Sequence, residues 1–127
     1  MRSRRGMEIA LTLFLLAVSG VAYAHHGTEA YAMEKKVTLK GVIAQFEWTN
    51  PHSQVHLDVT DDKGNVTHWN FESQPPSILR HAGWTKDSLK VGDPATITFH
   101  PVKNGASVGI LMSVVLADGT ELTPNEK

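Results

Sequence analysis

From Val37 onward, apolar and polar residues alternate one for one in short runs, and each run is stopped by Gly, Pro, Asn or Asp. A side-chain period of two belongs to extended strands with one wet face, whereas an amphipathic helix repeats every 3.6 residues. The chain is therefore confined to a β architecture. Val37, Leu39, Gly41 and Ile43 share one face of the first run, and further on the apolar set moves to Val42, Ala44, Phe46 and Trp48. Such a phase change calls for a bulge or sharp coil near Gly41, the device by which a strand turns the corner of a small barrel. Thr49-Asn50-Pro51-His52 then breaks the run.

A second strand follows, with Val55, Leu57 and Val59 on one face and Gln54, His56 and Asp58 on the other. Asp61-Asp62-Lys63-Gly64-Asn65 is turn chemistry. The third strand sets Thr67, Trp69 and Phe71 against His68, Asn70 and Glu72. Pairing Leu57 with Trp69 and Val55 with Phe71 puts the large apolar side chains together, and a one-residue slip would invert every one of them. That register sets Asp58 opposite His68 and His56 opposite Asn70. Ser77 to Gly83 reads as a short helix, with Ser77 as its cap and Gly83 as a left-handed stop. Ala95, Ile97 and Phe99 mark a fourth strand. Asn104-Gly105 signals a two-residue hairpin that pairs Ile97 with Met112 and Phe99 with Ile110. Asp118-Gly119 turns the chain toward a short sixth strand ending at Leu122.

Three strands, a short helix and two further strands is the order of an OB-type barrel with a helix plugging one end. The expected fold is mainly β, a five-to-six-stranded OB-like barrel with one short helix between strands three and four. A small sandwich shares that order and stands as the alternative.

Ahead of these strands lie Arg2, Arg4 and Arg5, an apolar run from Ile9 to Ala22, and Ala22-Tyr23-Ala24. A basic start, a short apolar stretch and a small-x-small site form a cleavable secretory signal, so residues 1–24 are expected to be removed after Ala24. Spanning a bilayer takes about 20 apolar residues, and Glu8 would be costly in lipid, so no retained membrane anchor is expected. Ser3-Arg4-Arg5-Gly6-Met7 carries the arginine pair of a twin-arginine signal without its usual Phe and Lys, and the general secretory route is preferred. Residues 25–127 then form one domain, read as a monomer, with nine basic and twelve acidic residues. A mildly acidic surface without clustered Lys and Arg argues against nucleic acid as a partner. No cysteine is present, which excludes disulfides, thiolate metal sites and thiol catalysis. Any metal falls to histidine, carboxylate or the amino terminus.

His25-His26-Gly27, Lys40-Gly41-Val42, Phe46-Glu47-Trp48-Thr49-Asn50-Pro51-His52, Ala82-Gly83-Trp84, Val91-Gly92-Asp93 and Ala117-Asp118-Gly119 together resemble an uncharacterised family. Its members are small exported bacterial proteins, described as a domain of unknown function. The resemblance covers essentially the whole mature chain, and Trp-Thr-Asn-Pro-His is its most specific element. It implies a periplasmic location in a Gram-negative bacterium and carries no activity with it.

Three constellations could carry chemistry. Cleavage after Ala24 would free an α-amine on His25, and amine plus imidazole is a chelate suited to Cu(II), which favours tetragonal nitrogen ligation. His26 offers a second mode through amine, backbone amide and ring, while His52, His56, His68 and His100 are possible further ligands. A mobile terminus with chance histidines is the plain alternative. The polar face of strands two and three offers Gln54, His56, Asp58, His68, Asn70 and Glu72, with Asn50, His52, Lys103 and Asn104 in the adjoining loops. In OB-type barrels this face is a ligand platform. A solvated face with His–Asp pairing, worth at most about 1 kcal/mol, explains it equally. Trp48 to His52 reads as a structural corner in which only His52 lacks a structural reason. Trp69 and Trp84 read as core aromatics. No nucleophile motif, phosphate loop or His-Glu-x-x-His run occurs, so a non-enzymatic protein is preferred.

The leading expectation is a periplasmic binding protein that uses histidines for copper, with His25, His26, His52, His56 and His68 as the metal-ligand set. The alternative is a metal-free OB-type module that binds a protein or glycan partner through Asn50, Gln54, Asp58, Asn70 and Glu72. A mononuclear copper enzyme built on His25 is a third reading.

Overall fold

The computed structural model describes residues 27–125. A compact unit begins at Tyr31, and the residues before it belong to a separate unit of which Gly27–Ala30 form a turn. The elements are β1 (Val37–Glu47), β2 (Gln54–Thr60), β3 (Val66–Glu72), α1 (Pro76–His81), β4 (Pro94–Pro101), β5 (Val108–Leu116) and β6 (Glu121–Leu122). The strands run β3-β2-β1-β4-β5-β6, and a parallel pairing of β3 with β5 closes the first five into a barrel. This is the OB arrangement, with the helix between β3 and β4 and one added strand.

Closure depends on β1 serving two partners. Its residues Val37 to Val42 pair with β4, and Val42 to Glu47 pair with β2. The strand must bend where it changes partner, and Gly41 sits there against β2. A methyl group on Gly41 would collide with the Asp58 carbonyl and the Leu57 side chain, so only glycine permits the approach. The extra residue that flips the phase is not at Gly41, however. It is Ala44, three residues on, where the register with β2 shifts between Ile43 and Gln45. Val42 consequently belongs to the outer face and is 44% exposed, while Ile43 and Phe46 point into the barrel side.

The hairpin of β2 and β3 has the register read from its pattern: Val55↔Phe71, His56↔Asn70, Leu57↔Trp69 and Asp58↔His68. Its turn is held by Asp61, whose Oδ1 accepts the Lys63 and Asn65 backbone N–H groups at 2.8 and 2.9 Å. Trp69 departs from the expected full burial. β3 pairs with β5 only over Asn70, Phe71 and Glu72, so the outer half of the hairpin extends past the closed barrel. Trp69 is half-buried there, stacked on Phe71 at 6.0 Å and tilted against Phe99 at 5.1 Å.

The β4–β5 register also differs from the two-residue turn. Ile97 faces Val114 and Phe99 faces Leu111, not Met112 and Ile110. Val102 N–H donates to Val108 O, so the loop around Asn104-Gly105 is wider than a tight hairpin. A second shift between Thr98 and Phe99 leaves Met112 as the extra residue on β5. Two one-residue displacements restore the in/out phase, and buried apolar residues again face each other.

The helix starts without the expected Ser77 cap. Pro75 is the cap residue, its carbonyl accepting from Ile78 and Leu79, and Pro76 at the first helical position has no N–H to satisfy. It ends as expected at Gly83 (φ 88°), where Gly83 N–H reaches Arg80 O and Trp84 N–H reaches Leu79 O. Leu79 and Trp84 complete the core with Ile43, Val55, Leu57, Phe71, Ile97, Phe99 and Val114. Trp84 Nε1–H donates to Thr123 O at 2.8 Å and ties down the end of the chain.

Burial separates the hairpin aromatics. Phe71→Ala removes a fully buried ring and should cost roughly 3–5 kcal/mol. Trp69→Ala removes a half-exposed one and should cost about 2 kcal/mol, nearer the transfer value alone. His68→Ala should cost about 0.5 kcal/mol or less. Urea unfolding of the three variants checks this order, and equal losses for Phe71 and Trp69 would contradict the open outer hairpin.

The turn adds a pH dependence. The Asn65 backbone N–H, then its side-chain amide, hold the Asp61 carboxyl below its ordinary value. A depressed folded value contributes stability above the ordinary carboxylate range near pH 4, and that contribution is lost as pH falls through the folded value. Thermal unfolding of Asp61→Ala should thus lie below wild type at pH 7, with the gap closing toward pH 2.

Candidate functional site

The bulge at Ala44 decides what the outer face of the sheet displays. Beyond it Phe46 turns inward, so Gln45 and Glu47 join the outward side chains of β2 and β3. Three cross-strand rows result: Glu47–Gln54–Glu72, Gln45–His56–Asn70 and Val42–Asp58–His68. Segments 42–47, 54–60 and 66–72 contain no Lys or Arg, so the face is electronegative. Gln45 and Glu47 were absent from the sequence-derived face. Their signal was the inward pair Phe46 and Trp48, which sends the odd-numbered residues outward.

Each described histidine of this region is held on one ring nitrogen. His56 Nε2–H donates to Glu47 Oε2 at 3.0 Å. His68 Nδ1–H donates to Asp58 Oδ1, with the ring 80% exposed. His52, in the loop after β1, donates Nδ1–H to the Ser73 carbonyl at 3.2 Å and lies 3.4 Å from Glu72 Oε1. Thr49 Oγ1–H donates to the His52 carbonyl at 3.2 Å, and the Asn50–Pro51 peptide is cis. Asn50 is exposed in this loop. Asn70 Nδ2–H donates to Gln54 Oε1 at 2.6 Å, joining the two amides in the middle of the face.

The expected metal ligands are therefore not one cluster. Among the described residues, no three His, Asp or Glu side chains gather closely enough to hold a metal ion. His52, His56 and His68 stand in separate carboxylate pairs. His25 and His26 lie outside the described residues. Lys103 and Asn104 are exposed, and Asn104 Oδ1 accepts the Ala106 N–H at 3.0 Å and closes its own turn. His100 donates Nδ1–H to Lys35 O at 2.7 Å, binding the segment that precedes β1 to the end of β4.

That segment comes in at the His52 end of the sheet. Tyr31 bridges to Val102, and Ala32 N–H donates to Pro101 O at 2.8 Å. Burial raises the Tyr31 phenol above its ordinary value, and the Glu72 carboxylate adds to the rise, so the two groups stand within electrostatic reach.

No curated protein and no solved structure matches the chain. The family of unknown function DUF6152 matches residues 12–112, running from the apolar N-terminal stretch through most of β5. The chain belongs to that family.

Proposed function

We propose that this is an exported, periplasmic, non-enzymatic protein that binds Cu(II) through the α-amine and imidazole of His25, with His52 as a further donor. The reading is carried by one observation. His52 is half-exposed, and its Nδ1 is occupied by the Ser73 carbonyl. The lone pair then falls on Nε2, the tautomer of a histidine prepared as a ligand. Six peptide units separate His25 from Tyr31, a length of at most about 20 Å when extended. Tyr31 itself is within electrostatic reach of Glu72.

A second reading is a metal-free module that binds a protein or glycan partner through β2 and β3. The observation favouring it is the continuous polar face without Lys or Arg, in which Gln54–Asn70 and Asp58–His68 are joined across the strands and Glu72 is paired with His52 of the adjoining loop.

Protein isolated from the periplasm should have the mass of a chain beginning at His25 and should take up one Cu(II) on titration. Adding a single Gly before His25 removes the amine from its relation to the ring and keeps every histidine. It should weaken copper binding by orders of magnitude, and His52→Ala should weaken it less. Unchanged affinity and spectrum in the Gly-extended protein would overturn the copper reading and leave the polar face as the better account.

A further inference from the structure

We infer that Glu72 is a positioning residue for His52, holding its neutral ring as the Nδ1–H tautomer with the lone pair on Nε2; this rests on the copper reading above. Two acceptors converge on the same ring nitrogen, the Ser73 carbonyl at 3.2 Å and Glu72 Oε1 at 3.4 Å. Neither oxygen can donate, so together they place the proton on Nδ1. Both come from the end of β3, where Glu72 is set by pairing with Gln54 on one side and Ile110 on the other.

His56, His68 and His100 lack this combination. His56 is held at Nε2 by Glu47, which leaves the lone pair on Nδ1, the nitrogen nearer the backbone. His68 has a carboxylate on Nδ1 but stands 80% exposed, so its ring is held by one contact with water in competition. His100 has a carbonyl alone. Of His52, His56, His68 and His100, His52 alone has a carbonyl and a carboxylate on Nδ1. Glu72 in turn is within electrostatic reach of the partly buried Tyr31 phenol.

The test combines ring-nitrogen NMR of metal-free protein, at a pH where the ring is neutral, with copper titration of the same samples carrying the native amino terminus. Wild type should show His52 as Nδ1–H. Glu72→Ala should give a mixture of tautomers and lower copper affinity roughly tenfold, the scale on which outer partners of metal-bound histidines act. Glu72→Gln keeps a carbonyl oxygen that accepts from Nδ1–H and should restore the tautomer and most of the affinity. An unchanged tautomer in Glu72→Ala overturns the inference. So does Glu72→Gln that binds copper as poorly as Glu72→Ala while keeping Nδ1–H, since Glu72 would then act on copper by its charge. If wild type takes up no copper, the copper reading fails by itself and the tautomers still decide the role of Glu72.

Discussion

The close approach of Gly41 to the Asp58 carbonyl is the contact on which the barrel turns. Without it β1 could lie along β2 or along β4 but not along both, because the strand has to cross from one neighbour to the other within a few residues. Everything downstream in space follows from that crossing. β4 arrives beside the first half of β1, β5 beside β4, and β5 comes far enough round to meet β3. The bulge at Ala44 then completes the turn by exchanging the faces of β1, so that its second half buries Phe46 and displays Glu47.

What could be read from the residues was whatever depended on alternation alone. The hairpin of β2 and β3 has one register that buries Val55, Leu57 and Phe71 together, and the side-chain pattern selects it without knowledge of the rest. Gly83 was legible for a similarly local reason: the helix has to stop, and a left-handed residue stops it. The helix cap failed locally, since Pro76 takes the first helical position and makes Pro75 the cap in place of Ser77; the other failures were cases in which distant chain decides a local detail. The loop after β4 carries a strong Asn-Gly turn signal, yet the pairing follows a wider loop and a bulge at Met112. Gly109 has to pass over the Phe99 ring, where no larger residue would fit. Trp69 has the composition of a core residue, and its half-exposure comes from the short β3–β5 seam, which no pattern in β3 announces.

The site divides along the same line. The polar face was legible because it is the complement of the buried face. Its carboxylate partners were less so: Glu47 depends on the position of the bulge, and the link between His52 and the end of β3 joins residues 21 positions apart through a loop. Burial explains the face only in part, since charge decides the rest. Three carboxylates without a lysine or arginine among them are accommodated because each stands beside an imidazole that turns a ring N–H toward it.

The β3–β5 seam joins the barrel through three residue pairs, whereas β1 and β2 share five and β4 and β5 seven. A closed sheet is only as closed as its shortest ladder, and free energies of local opening follow the number of contacts that must be given up. This seam is the line along which local opening should cost least. Asn70 and Glu72 both lie on it, so the middle of the polar face and the carboxylate beside His52 share the fate of the barrel's weakest joint. Whatever grips that end of the face also fastens the ring, and a ligand bound there would be felt as a slower opening of the whole sheet.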